Sequence, residues 1–361
     1  MKKIISLLIL LIFVSNTNAQ ERQKYFENGK LIEVGNKKNG LKSGQWDFYD
    51  ENQKIKESGN FNNGSKHGVF KHYDNYGNLI VTFTYENGTK HGAYKWYYEN
   101  GNIKEAGSYE NGEYSGEQKS YYETGELAII GYFVNDDKAG TWNYYHKNGN
   151  VAESGKFNEY DERVGTWKFY HENGELQSIG ELKTVGDYDD EIRIGQWKYY
   201  YDNKQLKAIG SFENGLKNGE WTLYHNNGIL SQKGNFYKDK RVDIWKSQHP
   251  NGQLESISSF INGTRHGEIK EYYNNGNLRW LGNFDNGLPI GEWKEYHENG
   301  QLHKLNLWNQ GRLMDIITCL NNQGKPIDKG TLVNGNGTVN IYDVDGKIIK
   351  TETYTNGVKK E

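Results

Sequence analysis

The chain has 361 residues, of which 34% are hydrophobic, 25% charged and 14% aromatic, with 28 tyrosines and a formal net charge of −3. Aliphatics are scarce for a globular core while aromatics suffice for a thin one. The absence of a basic surplus argues against a nucleic-acid partner, and a single cysteine, Cys319, excludes an internal disulfide.

Met1-Lys2-Lys3, the apolar run Ile4 to Val14 and the small-residue stretch ending at Ala19 have the order of a secretory signal. Cleavage is expected after Ala19, giving a secreted or periplasmic, cell-envelope protein. The apolar run is too short to span a bilayer and no later segment approaches the required length, so no transmembrane segment is expected after cleavage. Residues 20–43 read as a half repeat, because Tyr25-Phe26-Glu27-Asn28-Gly29 matches the second part of the unit that follows.

Residues 44–311 are a repeat array. A leading glycine falls at Gly44, Gly68, Gly92, Gly116 and Gly140, each 24 residues after the last. It continues at Gly165, Gly195 and Gly219, is replaced by Asp243, and returns at Gly267 and Gly291. Within each unit the apolar residues alternate with period 2, as in Trp197-Lys198-Tyr199, so each unit is two short strands. His225-Asn226-Asn227-Gly228 reads as a hairpin turn, because Asn-Gly supplies the positive φ that tight primed turns need. A second turn, Glu213 to Gly219, leads into the next unit. A glycine recurs in the second strand, at Gly180, Gly210, Gly234 and Gly282 among others, on the face that carries the tryptophans. A neighbouring ring is expected to lie flat on it. The predicted fold is all-β: an elongated single-layer antiparallel meander of about a dozen stacked 24-residue β-hairpins. Residues 312–361 are degenerate repeats and a cap, with Asp315 in the glycine position and Ile317 in the tryptophan position.

The unit Gly-x-Trp-x-x-Tyr, Asn-Gly-x-Leu, Gly-x-Phe, repeated from about Tyr25 to Gly357, resembles the MORN repeat variant of bacterial proteins labelled YwqK-family antitoxins. That resemblance implies a scaffold for protein interaction, in some cases with acidic phospholipids, or an antitoxin.

No phosphate-cradling loop, zinc motif or nucleophile elbow occurs, so no catalytic, cofactor-binding or metal-ligating residue is assigned. Nearly all the histidines fall in two repeat slots, and His146, His171, His225, His249 and His297 share theirs with Asp50, which reads as a turn position. His225→Asp is accordingly expected to be nearly neutral. The two turns that break the period, 158–164 and 182–194, concentrate Asp161, Glu162, Asp187, Asp189, Asp190 and Glu191, a candidate surface for a cationic partner or calcium. Tyr145, Tyr170, Tyr200, Tyr224 and Tyr296 are expected to face outward and to remain free for binding. The expected function is an exported, non-catalytic scaffold that docks a protein. The alternatives are an antitoxin or immunity protein, and a binder of envelope glycan or phospholipid.

Overall fold

The computed structural model describes residues 22–185, 190–343 and 346–360. The segment 1–19 with its expected cleavage site, and Asp187 and Asp189, lie outside the described residues. Every regular element among the described residues is a strand, and no helix is long and apolar enough to cross a membrane.

Two compact units are present, residues 1–125 and 126–361. In the first, the strands from Gln23–Glu27 to Ile103–Glu110 pair antiparallel, each with the next. In the second, the same meander runs from Leu127–Val134 to Arg312–Cys319. A separate three-stranded sheet of Gly337–Tyr342, Ile348–Thr355 and Val358–Lys359 follows it. The all-β hairpin meander expected from the periodicity is thus found in both units.

The hairpin Leu216–Tyr224 and Leu230–Tyr237 shows how the sequence sets the register. Trp221 pairs with Gly234 and Gly219 with Phe236. The turn between these strands differs from the sequence expectation: His225 N bonds Ile229 O, Gly228 N bonds His225 O, and only Gly228 has positive φ, at 82°. This is a type I turn followed by one left-handed residue, because three residues separate the paired ends. The primed turn is the other one, where Asn214 (φ 50°) and Gly215 (φ 79°) are both left-handed between the paired Glu213 and Leu216. The leading glycine is also left-handed, and where it is absent Asp243 adopts φ 59° in its stead.

The core is one face of each meander. Trp46, Trp167 and Trp197 are fully buried, and Trp142, Trp221 and Trp245 are 3% exposed. Each lies on the glycine of the strand before it: a Cβ placed on Gly180 would meet the Trp197 ring at 2.2 Å, and on Gly210 the Trp221 ring at 2.2 Å. The glycine is there for space, and each ring so buried contributes about 1.5–3 kcal/mol. Exceptions come in matched pairs. Ser258 precedes the smaller Ile269, and Asn306 precedes Ile316. In the first unit Gln118 occupies the tryptophan slot, Tyr94 covers Gly107 from the preceding strand, and Gly116–Tyr121 pairs with Ile103–Glu110 through only two residues.

At the C-terminal end Ile316 is 2% exposed and Ile317 50%, so Ile316, not Ile317, takes the buried slot. Asp315 is not left-handed, and the register against Asn306 slips by one residue. Leu313, Ile316, Cys319, Leu332 and Val339 form an aliphatic core there, with Cys319 as one of its buried side chains.

Candidate binding face

Turn-to-turn bonds hold both margins of the meander in line. On one margin an asparagine of most type I turns accepts a backbone N–H within its own turn and donates to the next repeat: Asn227 Oδ1 accepts from Ile229 N, and Asn227 Nδ2 donates to Pro250 O at 2.8 Å. The histidine slot adds a parallel rung. His146 Nε2 lies 3.1 Å from Tyr170 O, His225 Nε2 2.7 Å from Gln248 O, and His249 Nε2 2.9 Å from Tyr272 O. A carbonyl only accepts, so the proton sits on Nε2. Tyr201 and Tyr273 make the same rung through their hydroxyls, to Tyr224 O and Tyr296 O.

The histidine slot is therefore a strut between repeats and more than a turn position. His225→Ala should cost about 0.5–1.5 kcal/mol in a urea titration, the worth of one net hydrogen bond. His225→Asp should cost less, because Asp50 in the equivalent slot caps its own turn through Asn52 N and Lys54 N.

The tyrosines expected to face outward are partly covered. Tyr145, Tyr170, Tyr200, Tyr224 and Tyr296 are all half-buried. They stand where the register shifts beside the type I turn, and the carbonyls of Tyr170, Tyr200, Tyr224 and Tyr296 take the rungs of the preceding repeat. Their side chains are thus partly covered, and those backbone carbonyls are engaged between repeats.

In their described residues the two lengthened turns are more regular than a pair of loops. The second extends its hairpin, with Thr184 opposite Glu191 and Val185 opposite Asp190. The first is a capped turn in which Asn158 N bonds Glu162 O and Asp161 is left-handed, at φ 59°. The two do come together, since Arg163 bonds Glu153 and Glu191, both at 2.9 Å. Asp161 pairs with Lys138 at 3.3 Å and Glu162 accepts from Asn158 Nδ2 at 2.8 Å. Of the described acidic residues there, Asp190 has no such partner. Among the described residues no group of three or more His, Cys, Asp or Glu is placed to hold a metal ion.

A row of cations over the aromatic face escaped the sequence reading. The residue two places before the leading glycine is Lys42, Lys66, Lys90, Lys138, Arg163, Arg193, Lys217, Arg241 or Arg265, with Tyr114 and Pro289 as exceptions. Its carbonyl accepts from the primed turn of the next repeat, as Arg193 O does from Gly215 N and Arg241 O from Gly263 N. The side chain folds over the rings. Lys42 Nζ stands 4.5 Å from the centre of Trp46, and the guanidinium carbon of Arg163 4.0 Å from that of Trp167. Arg193 is 4.9 Å above Trp197, Lys217 4.8 Å above Trp221 and Arg241 4.2 Å above Trp245. These are cation–π distances. The signal was legible in the period, but a lone Lys or Arg beside a turn ordinarily reads as solvated surface.

The row changes character along the chain. The strand before the cation has a slot that can hold its counter-ion: Glu33 meets Lys42 at 2.5 Å, Glu57 meets Lys66 at 2.5 Å, and Glu153 meets Arg163, whereas before Lys90 and Lys138 it holds Val81 and Ile129. In the next four units that slot holds Ser178, Ala208, Gln232 and Ser256, while the cations Arg193, Lys217, Arg241 and Arg265 persist. Among the described residues none of these four makes an ion pair. Arg193 reaches the Tyr199 hydroxyl at 3.2 Å and Arg241 the Gln232 amide oxygen at 2.8 Å. The electrostatics follow. Burial lowers the proton affinity of Arg241 and the like charge of Arg265 lowers it further, whereas Glu153 and Glu191 outweigh burial at Arg163 and raise it. Between Arg193 and Arg241 lies a groove of about 530 Å³ floored by Tyr199, Phe212 and Trp221, with no carboxylate in its lining. Tyr200 is the sequence-predicted site residue that reaches it. Carboxylates return at the Arg265 end with Glu255 and Glu271.

These features define a hairpin-repeat scaffold. The family described as MORN repeat variant matches eight times, at residues 90–111, 114–135, 163–183, 193–214, 217–239, 244–262, 265–286 and 289–309, and the chain belongs to that family. No curated protein matches. Among solved structures, that described as TcdB2-TccC3-TEV is 13% identical, with a TM-score of 0.16 over 90% of this chain and 20% of that one. TcdB2-TccC3-Cdc42 is 12% identical, with a TM-score of 0.14 over 93% of this chain and 22% of that one. The chain thus spans about a fifth of the length of these structures.

Proposed function

We propose that this chain is an exported, non-catalytic repeat scaffold that docks a protein partner at the cell envelope through the cationic part of its aromatic face. The observation that carries this reading is the loss of counter-ions at Ser178, Ala208, Gln232 and Ser256 while the cations over the rings remain. Folding alone is served by the paired arrangement at Glu33–Lys42 and Glu57–Lys66. Four successive cations without counter-ions repel one another, and a negatively charged partner relieves that cost.

The test is capture from an envelope fraction by the mature chain and by Arg193→Gln/Lys217→Gln/Arg241→Gln. One stoichiometric protein is expected with the first and a large loss with the second. Equal capture by both would place the partner elsewhere. Retention on purified wall or lipid in place of a protein would favour a glycan or phospholipid binder.

Export rests on the basic, apolar and small-residue order of residues 1–19. The native protein is expected to begin at Gln20, and N-terminal sequencing that returns Met1 would contradict this.

A further inference from the structure

We propose that the groove between Arg193 and Arg241 takes an acidic protein segment in the polyproline II conformation, with a carboxylate at every third residue. This deepens the docking reading above and rests on it. The argument is one of spacing. Arg193, Lys217 and Arg241 occupy the same slot of successive repeats, each two strands from the last. Paired strands lie about 4.8 Å apart, so the cations recur every ~9.6 Å across the sheet. A polyproline II segment rises about 3.1 Å per residue with three residues per turn, so residues i, i+3 and i+6 lie on one side, ~9.3 Å apart.

A β-strand has a similar three-residue length, about 10 Å, but its third residue points to the opposite face. A helix advances only about 5 Å in three residues. It comes back into line only at i+7, about 10.5 Å on, so that its second return falls ~2 Å past the third cation, which leaves the polyproline II form as the closest match of one carboxylate per cation from a single side.

The floor fits the same occupant. Phe212 and Trp221 are buried beneath the cations, but the half-buried Tyr199, Leu223 and Phe236 in the same lining offer apolar surface between them, and surfaces of this kind receive the apolar flanks of such a segment. The cations lie down on their rings, at 4.9, 4.8 and 4.2 Å from the ring centres. A linear chain laid in the groove meets them better than a planar lipid surface, which meets the most protruding charges first.

The structure also supplies a variant that removes the site without removing a cation. Glu33 and Glu57 neutralise the cation nine residues on. Ala208 and Gln232 stand nine residues before Lys217 and Arg241, and Ser178 holds the same slot before Arg193 across the lengthened turn. Ser178→Glu/Ala208→Glu/Gln232→Glu restores the missing counter-ions in a geometry the fold already accommodates.

The experiment is calorimetric titration of the full chain. The probes are a peptide of Glu-Pro-Pro triplets, a peptide of the same composition with its glutamates in adjacent pairs, and phosphatidylserine vesicles. The triplet peptide is expected to bind at least about tenfold more tightly than the paired peptide, and to weaken as salt is added. The counter-ion variant should lose about tenfold or more, at roughly threefold to tenfold per cation. Lys42→Gln/Lys66→Gln, in the paired part of the row, should bind like the parent. Should the counter-ion variant fail to fold, Arg193→Gln/Lys217→Gln/Arg241→Gln is read in its place.

Equal affinity for the two peptides would overturn the spacing argument, and tighter binding to vesicles with the same sensitivity to the variant would overturn the choice of a protein segment. In either case, capture of an envelope protein that still depends on the cation row would leave the docking reading standing. Capture indifferent to the row would remove that reading as well.

Discussion

Trp221→Ala is expected to destabilise the second unit by about 3–5 kcal/mol, the range for truncating a large buried side chain. The Trp221 ring is 3% exposed, lies on Gly210, meets the edges of Phe212 and Phe236 at 5.2 and 6.0 Å, and donates its N–H to Ser211 O at 3.2 Å. Removing it uncovers Gly210, takes both ring contacts, and leaves Lys217 without the surface on which it rests. A repeat array need not unfold in one step, so the loss is best read as a shift of the urea midpoint together with hydrogen exchange of the strands Leu206–Glu213 and Leu216–Tyr224. A change confined to less than about 1 kcal/mol would mean that the ring is not the core element described here.

Gly210→Ala should be the next most damaging single change, at about 1–3 kcal/mol, although alanine is the better residue for an ordinary backbone position. Gly210 is not left-handed, so the backbone accepts a side chain. The obstacle is the indole: a Cβ there would stand 2.2 Å from Trp221 Cδ2. The penalty is therefore conditional. In the Trp221→Ala background Gly210→Ala should be neutral or stabilising, and the double-mutant cycle should report strong coupling between the two sites. Additive losses would show that the glycine serves the backbone and not the ring.

How much of this was legible beforehand depended on whether the signal was local and periodic. Strand alternation, the 24-residue register and the ring over glycine are all patterns of spacing, and all three are found in the structure. The turns misled because both contain Asn-Gly: the discriminating feature was loop length, with three residues between the paired ends at Asn226 to Gly228 and two at Asn214 and Gly215.

The position of Ile316 was not legible, since nothing in the spelling of Asp315 distinguishes it from Asp243, which does become left-handed. The acidic residues drew notice because they break the repeat, yet Asp161 and Glu191 find partners across turns that sequence spacing does not bring together, and Glu162 finds one within its own turn. The cation row obeyed the repeat and so drew none. Its significance lay in the loss of a residue at a different slot, from Glu153 to Ser178, Ala208 and Gln232.

Two surfaces thus compete for the partner: the lengthened turns 158–164 and 182–194, and the cationic stretch of the aromatic face. Capture from the envelope fraction should be compared between a chain with both turns trimmed to the 24-residue period and the chain carrying Ser178→Glu/Ala208→Glu/Gln232→Glu, once both show an unchanged melting transition. Loop closure depends only weakly on length, so the trimmed chain is expected to fold. The trimmed chain should keep the partner and the counter-ion variant should lose it. Loss on trimming, with full capture by the counter-ion variant, would contradict the account and return the site to the acidic turns.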